Sequence, residues 1–178
     1  MRSGRRRLLA WLIDWACILG WVAITAAVGV PLYLAGVIAP DGVLALNLVA
    51  AFVMVIPVVF AAAICESGSS AATPGKRALR LIVISEVGPP RFRAALARNM
   101  LKLGVPWLLG HAAVYAITST SSESATVPVG VWILTAAAYL IPSVWVVCLF
   151  APGGRTPYDL ITRTTVVLAP SPRRVVDG

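Results

Sequence analysis

The sequence predicts an all-α integral membrane protein: a four-span transmembrane helical bundle with an interfacial amphipathic helix and a short two-stranded cytoplasmic β ribbon. Hydrophobic residues make up 59% of the 178 residues and charged residues 12%, whereas soluble domains average about 45–50% and about 25%. Four apolar runs are long enough to cross or nearly cross a bilayer. Because no long linker and no internal repeat is present, residues 1–178 are expected to form a single membrane domain.

The four predicted spans are residues 8–30, 43–64, 101–117 and 127–150. The first run is too long for the core of a signal peptide and other spans follow, so we expect it to stay uncleaved. The interior prolines Pro57 and Pro142 are compatible with membrane helices, in which neighbouring helices satisfy the freed carbonyls. The third run has only 17 residues, and a re-entrant or broken helix is the alternative to a full crossing.

The distribution of Lys and Arg predicts the orientation of these spans. The loops at residues 40–42 and 118–126 contain neither Lys nor Arg. The positive-inside rule therefore places residues 1–7, 65–100 and 151–178 in the cytoplasm, together with both termini.

Two kinds of local structure are expected in the cytoplasmic parts. Residues 79–85 and 164–168 are rich in branched side chains, and pairing them would satisfy backbone groups that a lone strand leaves free. Residues 91–102 have the pattern of an amphipathic helix, with Phe92 on the apolar face and Arg98 on an adjacent basic face. We interpret this helix as a basic anchor lying against the lipid headgroups, with lipid sensing as the alternative.

Asp14 is the most unusual charged residue, since it lies inside the first span. A carboxylate costs about 2.5–3.5 kcal/mol at mid-membrane and somewhat less near the edge. Arg7 shares its helix face but lies roughly 10.5 Å away along the axis, so a third group is expected to complete the arrangement. The candidate partners of Asp14 are Arg7 and three basic residues from the central loop: Lys76, Arg77 and Arg98.

Two roles for Asp14 are open. In the first, it binds a cation or a proton as part of a translocation path. In the second, Asp14 and an arginine form a buried pair that locks the first helix to the cytoplasmic layer.

The other polar candidates carry weaker signals. His111 is the single histidine, and near the middle of the third span it could relay protons or donate a hydrogen bond across a helix interface. The three cysteines have no C-x-x-C spacing, which argues against disulfides and metal sites. Without a nucleophile elbow, a phosphate-binding glycine loop or paired carboxylates, we expect no enzyme, no metal and no cofactor.

The net charge of +8 is concentrated beside the ends of the apolar runs. Anionic lipid headgroups are therefore the expected partner. Nucleic acid is not expected, because no basic face interleaved with aromatic residues appears.

Taken together, these segments resemble the RDD family of bacterial membrane proteins, which is named for one arginine and two aspartates. The similar stretches are RLLAWLID at residues 7–14, TPGKRALRLIV at residues 73–83, Arg98, and YD at residues 158–159 followed by TTVV at residues 164–167. The sequence departs from the family pattern at Arg80, where a small residue is usual, and at Pro157. The resemblance implies a functional charge cluster of Arg7, Asp14 and Asp159, in a multi-pass protein of the bacterial inner membrane.

For Asp159 there is an alternative to this functional role. Arg155 and Arg163 lie four residues to either side, and in a helical segment they would form ordinary solvated ion pairs with it.

Transport is the function that the resemblance implies, with a cation, a proton or a small solute as the cargo. Four helices leave little room for a pathway, so transport would require a homo-oligomer or another membrane subunit. The alternative is a non-transporting accessory or assembly subunit of a larger membrane complex.

Overall fold

The computed structural model describes residues 2–123 and 127–170. Within them, the first three helices and a π-helical segment are α1 (Arg2–Leu34), α2 (Gly42–Val49), the π segment Ala50–Val55 and α3 (Ile56–Ser67). The middle of the chain forms α4 (Pro74–Ala78), β1 (Leu81–Ile84), α5 (Phe92–Asn99), the π segment Met100–Gly104 and α6 (Val105–Glu123). The last elements are α7 (Val129–Cys148), α8 (Pro157–Ile161) and β2 (Thr165–Leu168).

Four helical stretches in the described residues are long and apolar enough to cross a membrane, which confirms the predicted four-span bundle. They are Gly4–Leu34, Leu44–Ser67, Phe92–Thr118 and Val129–Cys148. In each stretch at most 22% of the most apolar window is buried inside the chain. The remaining apolar surface therefore faces outward, where lipid would cover it.

The third stretch is longer than predicted and its helix is not broken. Instead of a separate interfacial helix before a 17-residue span, α5 continues through the π segment Met100–Gly104 into α6. Arg98, which we expected to face the headgroups, is only 1% exposed. The predicted basic face is therefore partly internal.

Both π segments end two residues before a proline. The segment Ala50–Val55 precedes Pro57, and Met100–Gly104 precedes Pro106. A proline lacks the N–H that an α-helix needs in its interior. The wider hydrogen-bonded turns of a π-helix adjoin each proline, so the two helical stretches continue past it without an interruption.

The predicted two-stranded ribbon is confirmed. β1 and β2 pair in antiparallel register, with Leu81 opposite Leu168 and Ile84 opposite Thr165. The buried side chains of Leu81, Val83 and Val166 form a small core with Ala10 of α1. The sheet is therefore fixed against the first span, and it joins the middle of the chain to its C-terminal part.

A second apolar core lies inside the bundle. Its buried members are Ile18, Val55, Val59 and Leu103. These residues bring α1, the second helical stretch and the third helical stretch together. This core thus packs the middle parts of three spans against each other.

The beginning of α4 approaches α1 so closely that only glycine fits at residue 75. A Cβ atom on Gly75 would lie 2.0 Å from the carbonyl oxygen of Ala10 and 3.0 Å from Oδ1 of Asp14. This approach allows the Gly75 N–H to donate a hydrogen bond to Asp14 Oδ1 at 2.8 Å.

We predict that Gly75→Ala destabilises the fold by about 1–3 kcal/mol, because the added methyl group pushes α4 away from α1. The measurement is the melting temperature of the purified protein in detergent. Gly20→Ala is the matched control in α1, where an added Cβ meets no atom within 4 Å. The prediction fails if Gly75→Ala melts at the temperature of the wild type.

Candidate functional site

Asp159 is the carboxylate at which α1, α5 and α8 meet. Its Oδ2 accepts a hydrogen bond from Arg7 Nη2 at 2.6 Å and another from the Thr156 N–H at 3.3 Å. Its Oδ1 accepts from Arg98 Nη2 at 2.8 Å and from Arg98 Nε at 3.1 Å. Asp159 is fully buried, so these two arginines compensate its charge out of contact with water.

This geometry excludes the solvated ion pairs that we considered for Asp159. Among the described salt bridges, its partners are Arg7 and Arg98, and neither Arg155 nor Arg163 takes part. Arg155 instead donates a hydrogen bond to Thr165 Oγ1 at 2.7 Å. The counter-charge for Asp159 therefore comes from arginines in two spans, and not from the arginines that are close to it in sequence.

Glu66, at the end of α3, is a second buried acid and was missed in the sequence. Both of its carboxylate oxygens lie 2.7 Å from Arg98 Nη1. Lys76 Nζ donates to Oε1 at 2.6 Å, and Asn99 Nδ2 donates to Oε2 at 2.9 Å. The one feature of the sequence that could have indicated this role is the position of Glu66, just beyond the second predicted span and next to a segment that is rich in basic residues.

Asp14 has neutral partners. Thr73 Oγ1 donates to its Oδ2 at 2.7 Å, and the Gly75 N–H donates to its Oδ1. No salt bridge of Asp14 occurs in the part of the chain that the structure describes. The expected cationic partner is therefore absent: Arg7 extends away from Asp14, to Asp159 and to the carbonyl oxygen of Gly154.

The hydrogen bonds of Asp14, Glu66 and Asp159 belong to one connected set. Lys76 Nζ, which binds Glu66, also donates to Thr73 Oγ1 at 3.2 Å, and Thr73 in turn binds Asp14. We call the connected residues the charged network: Arg7, Asp14, Glu66, Thr73, Lys76, Arg98 and Asp159. It contains three acids and three bases, so its formal charges balance.

The other predicted site residues lie outside the network. Arg77 Nε donates to the Ala72 carbonyl oxygen at 3.0 Å. His111 Nδ1 lies 3.0 Å from the Trp107 carbonyl oxygen, and the His111 ring packs between Trp107 and Tyr115. Of the partners predicted for the cluster, the structure thus brings Lys76 and Arg98 into it.

Burial and neighbouring charges shift the pKa of the two network residues outside the spans. Burial raises the pKa of Asp159, but Arg98 and Arg7 outweigh this effect and hold the pKa below the usual aspartate value. Burial lowers the pKa of Lys76 to about 8, although Glu66 opposes the change. Asp159 therefore stays ionised at neutral pH.

Two cavities adjoin the charged network. The larger, of about 400 Å³, lies between α1, α6 and α7, and the smaller, of about 330 Å³, lies between α1 and α3. Asp14, Lys102 and Leu103 border both of them. One acid and one base therefore stand where the two cavities adjoin.

Comparison with known proteins gives one match. The family model described as RDD family matches residues 2–163, which is nearly the whole chain. No curated protein and no solved structure matches.

We predict that Arg98→Ala costs about 3–5 kcal/mol of stability, because it leaves Glu66 and Asp159 buried without their shared counter-charge. The measurement is the melting temperature in detergent. Arg93→Ala is the control: Arg93 lies on the same helix and is exposed, so its removal should change stability by about 0.5 kcal/mol or less. Equal melting temperatures for the two variants would contradict the prediction.

The lowered pKa of Asp159 predicts a loss of stability in acid. The folded state binds a proton at this residue less readily than the unfolded chain does, so the ionised carboxylate stabilises the fold above about pH 4. This contribution is lost as the pH falls through the folded pKa. We expect the melting temperature to decrease below about pH 4, and to decrease less steeply in Asp159→Asn. Parallel curves for the two proteins would argue against this role of Asp159.

Proposed function

We propose that this chain, which belongs to the RDD family, moves a cation, a proton or another small solute across the membrane, with Asp14 in the path. One observation carries this proposal: Asp14 borders both cavities and has no salt-bridge partner among the described residues. A carboxylate inside a span that is not neutralised by a cation is available to a solute.

The contrast with the other two acids supports this assignment. Glu66 and Asp159 each accept charge-assisted hydrogen bonds from Arg98 and are fully buried. Asp14 accepts hydrogen bonds from a hydroxyl and a backbone N–H and forms no salt bridge among the described residues. We therefore infer that Glu66 and Asp159 stabilise the fold, whereas Asp14 binds the solute.

We also propose how the chain is oriented in the membrane and that it works as part of an assembly. The charged network and the paired strands lie at the end of the bundle that we place in the cytoplasm of a bacterial cell, beside anionic headgroups, as the distribution of Lys and Arg favours. Four spans leave little room for a path, so we propose a homo-oligomer or a complex with another membrane subunit. The proposed role involves no catalysis and no nucleic acid.

An accessory or assembly subunit is the second candidate function, and α7 favours it. No residue in the most apolar window of Val129–Cys148 is buried inside the chain. α7 packs against α6, but exposed residues such as Trp132 and Val147 leave a long apolar surface that a neighbouring membrane protein could contact.

Flux measurements in liposomes test the first function. We expect the reconstituted wild type to support sodium-, potassium- or proton-linked flux and Asp14→Asn to abolish it, because the amide keeps a hydrogen-bonding side chain but loses the charge. Asp41→Asn is the matched control, since Asp41 is an exposed aspartate outside the spans and its replacement should leave the flux unchanged.

A folded Asp14→Asn protein with wild-type flux would overturn the role of Asp14. No flux from the wild type, together with a partner that co-purifies from native membranes, would instead support the accessory subunit.

A further inference from the structure

Lys102 lies beside the charged network and forms no salt bridge in the described part of the chain. The network itself balances three acids with three bases. Lys102 lies in the π segment Met100–Gly104, borders both cavities, and forms no hydrogen bond or salt bridge among the described residues. The cavity region therefore carries one uncompensated positive charge.

None of the three acids of the network forms a hydrogen bond or salt bridge with Lys102 among the described residues, and each accepts hydrogen bonds from other groups. Glu66 is bound by Lys76, Arg98 and Asn99. Asp159 is bound by Arg7, Arg98 and the Thr156 N–H. Asp14 is bound by Thr73 and Gly75.

The surroundings of Lys102 make this charge costly. The larger cavity is lined mainly by apolar and aromatic side chains, among them Trp11, Trp15, Trp107, Trp145 and Tyr139. An ammonium group in such surroundings is unfavourable unless an anion pairs with it. A ligand with an anionic group and an apolar part could pair with the Lys102 ammonium group and also contact the apolar walls of the cavity.

We propose that the larger cavity binds an anionic phospholipid, with its phosphate at Lys102 and part of an acyl chain along the aromatic wall between α6 and α7. The volume of about 400 Å³ lies in the range of ordinary ligand pockets and accommodates part of one lipid. The flanking surfaces of α6 and α7 belong to spans, so bilayer lipids are adjacent to this wall. The inference concerns binding and holds whether or not the chain moves a solute.

Native mass spectrometry of the full chain, with phosphatidylglycerol and phosphatidylcholine added in turn, tests the site. We expect the wild type to retain phosphatidylglycerol in preference. Lys102→Met should bind it at least about tenfold more weakly, because it removes the ammonium group that pairs with the phosphate. Lys102→Arg should keep most of the binding. Arg93→Met is the control, since it removes an exposed positive charge that borders neither cavity.

A second measurement needs no variant and so does not depend on how well Lys102→Met folds. Phospholipids with brominated acyl chains quench tryptophans that they contact, and four of the six tryptophans line the larger cavity. We expect brominated phosphatidylglycerol to quench wild-type fluorescence more strongly than brominated phosphatidylcholine.

Three outcomes would overturn the proposal. The first is equal quenching by the two lipids, and the second is undiminished phosphatidylglycerol binding by folded Lys102→Met. The third is binding of inorganic phosphate that competes with the lipid at equal strength, which would indicate a site for a soluble anion.

Discussion

The buried guanidinium of Arg98 is the interaction on which the arrangement depends. Its Nη1 binds Glu66, while its Nη2 and Nε bind Asp159, and the planar group lies 5.3 Å from the ring centre of Tyr158. Only arginine offers donors in a fork that can serve two carboxylates from one planar group. Through this residue the second span, the third span and α8 are held together, and the position of α8 in turn places β2 beside β1.

The three acids of the charged network have different surroundings, which indicates different roles for them. Two of them are neutralised by guanidinium and ammonium groups that come from other elements. Among the described residues, Asp14 accepts hydrogen bonds from Thr73 and Gly75, and it borders the same two cavities as Lys102. These paired groups thus surround a small region that Asp14 and Lys102 both border, and neither of the two forms a salt bridge among the described residues.

Much of the fold followed from patterns that act locally. Apolar length identified the four spans, and the unpaired backbone of two short branched segments indicated the ribbon. The partners in the network could not be predicted in this way, because they depend on which side chains three-dimensional packing brings together. Glu66 looked like an ordinary acid at the end of a span, and Arg98 like a residue facing the headgroups. The continuity of α5 and α6 was missed because the amphipathic pattern of residues 91–102 and the apolar run of residues 101–117 were assigned to separate elements.

The salt bridge between Arg7 and Asp159 joins residues that are 152 positions apart. Synthesis proceeds from the N-terminus, so Arg7 and Arg98 are made before Asp159, their shared counter-ion. The charged network can therefore be completed only after translation has passed α8.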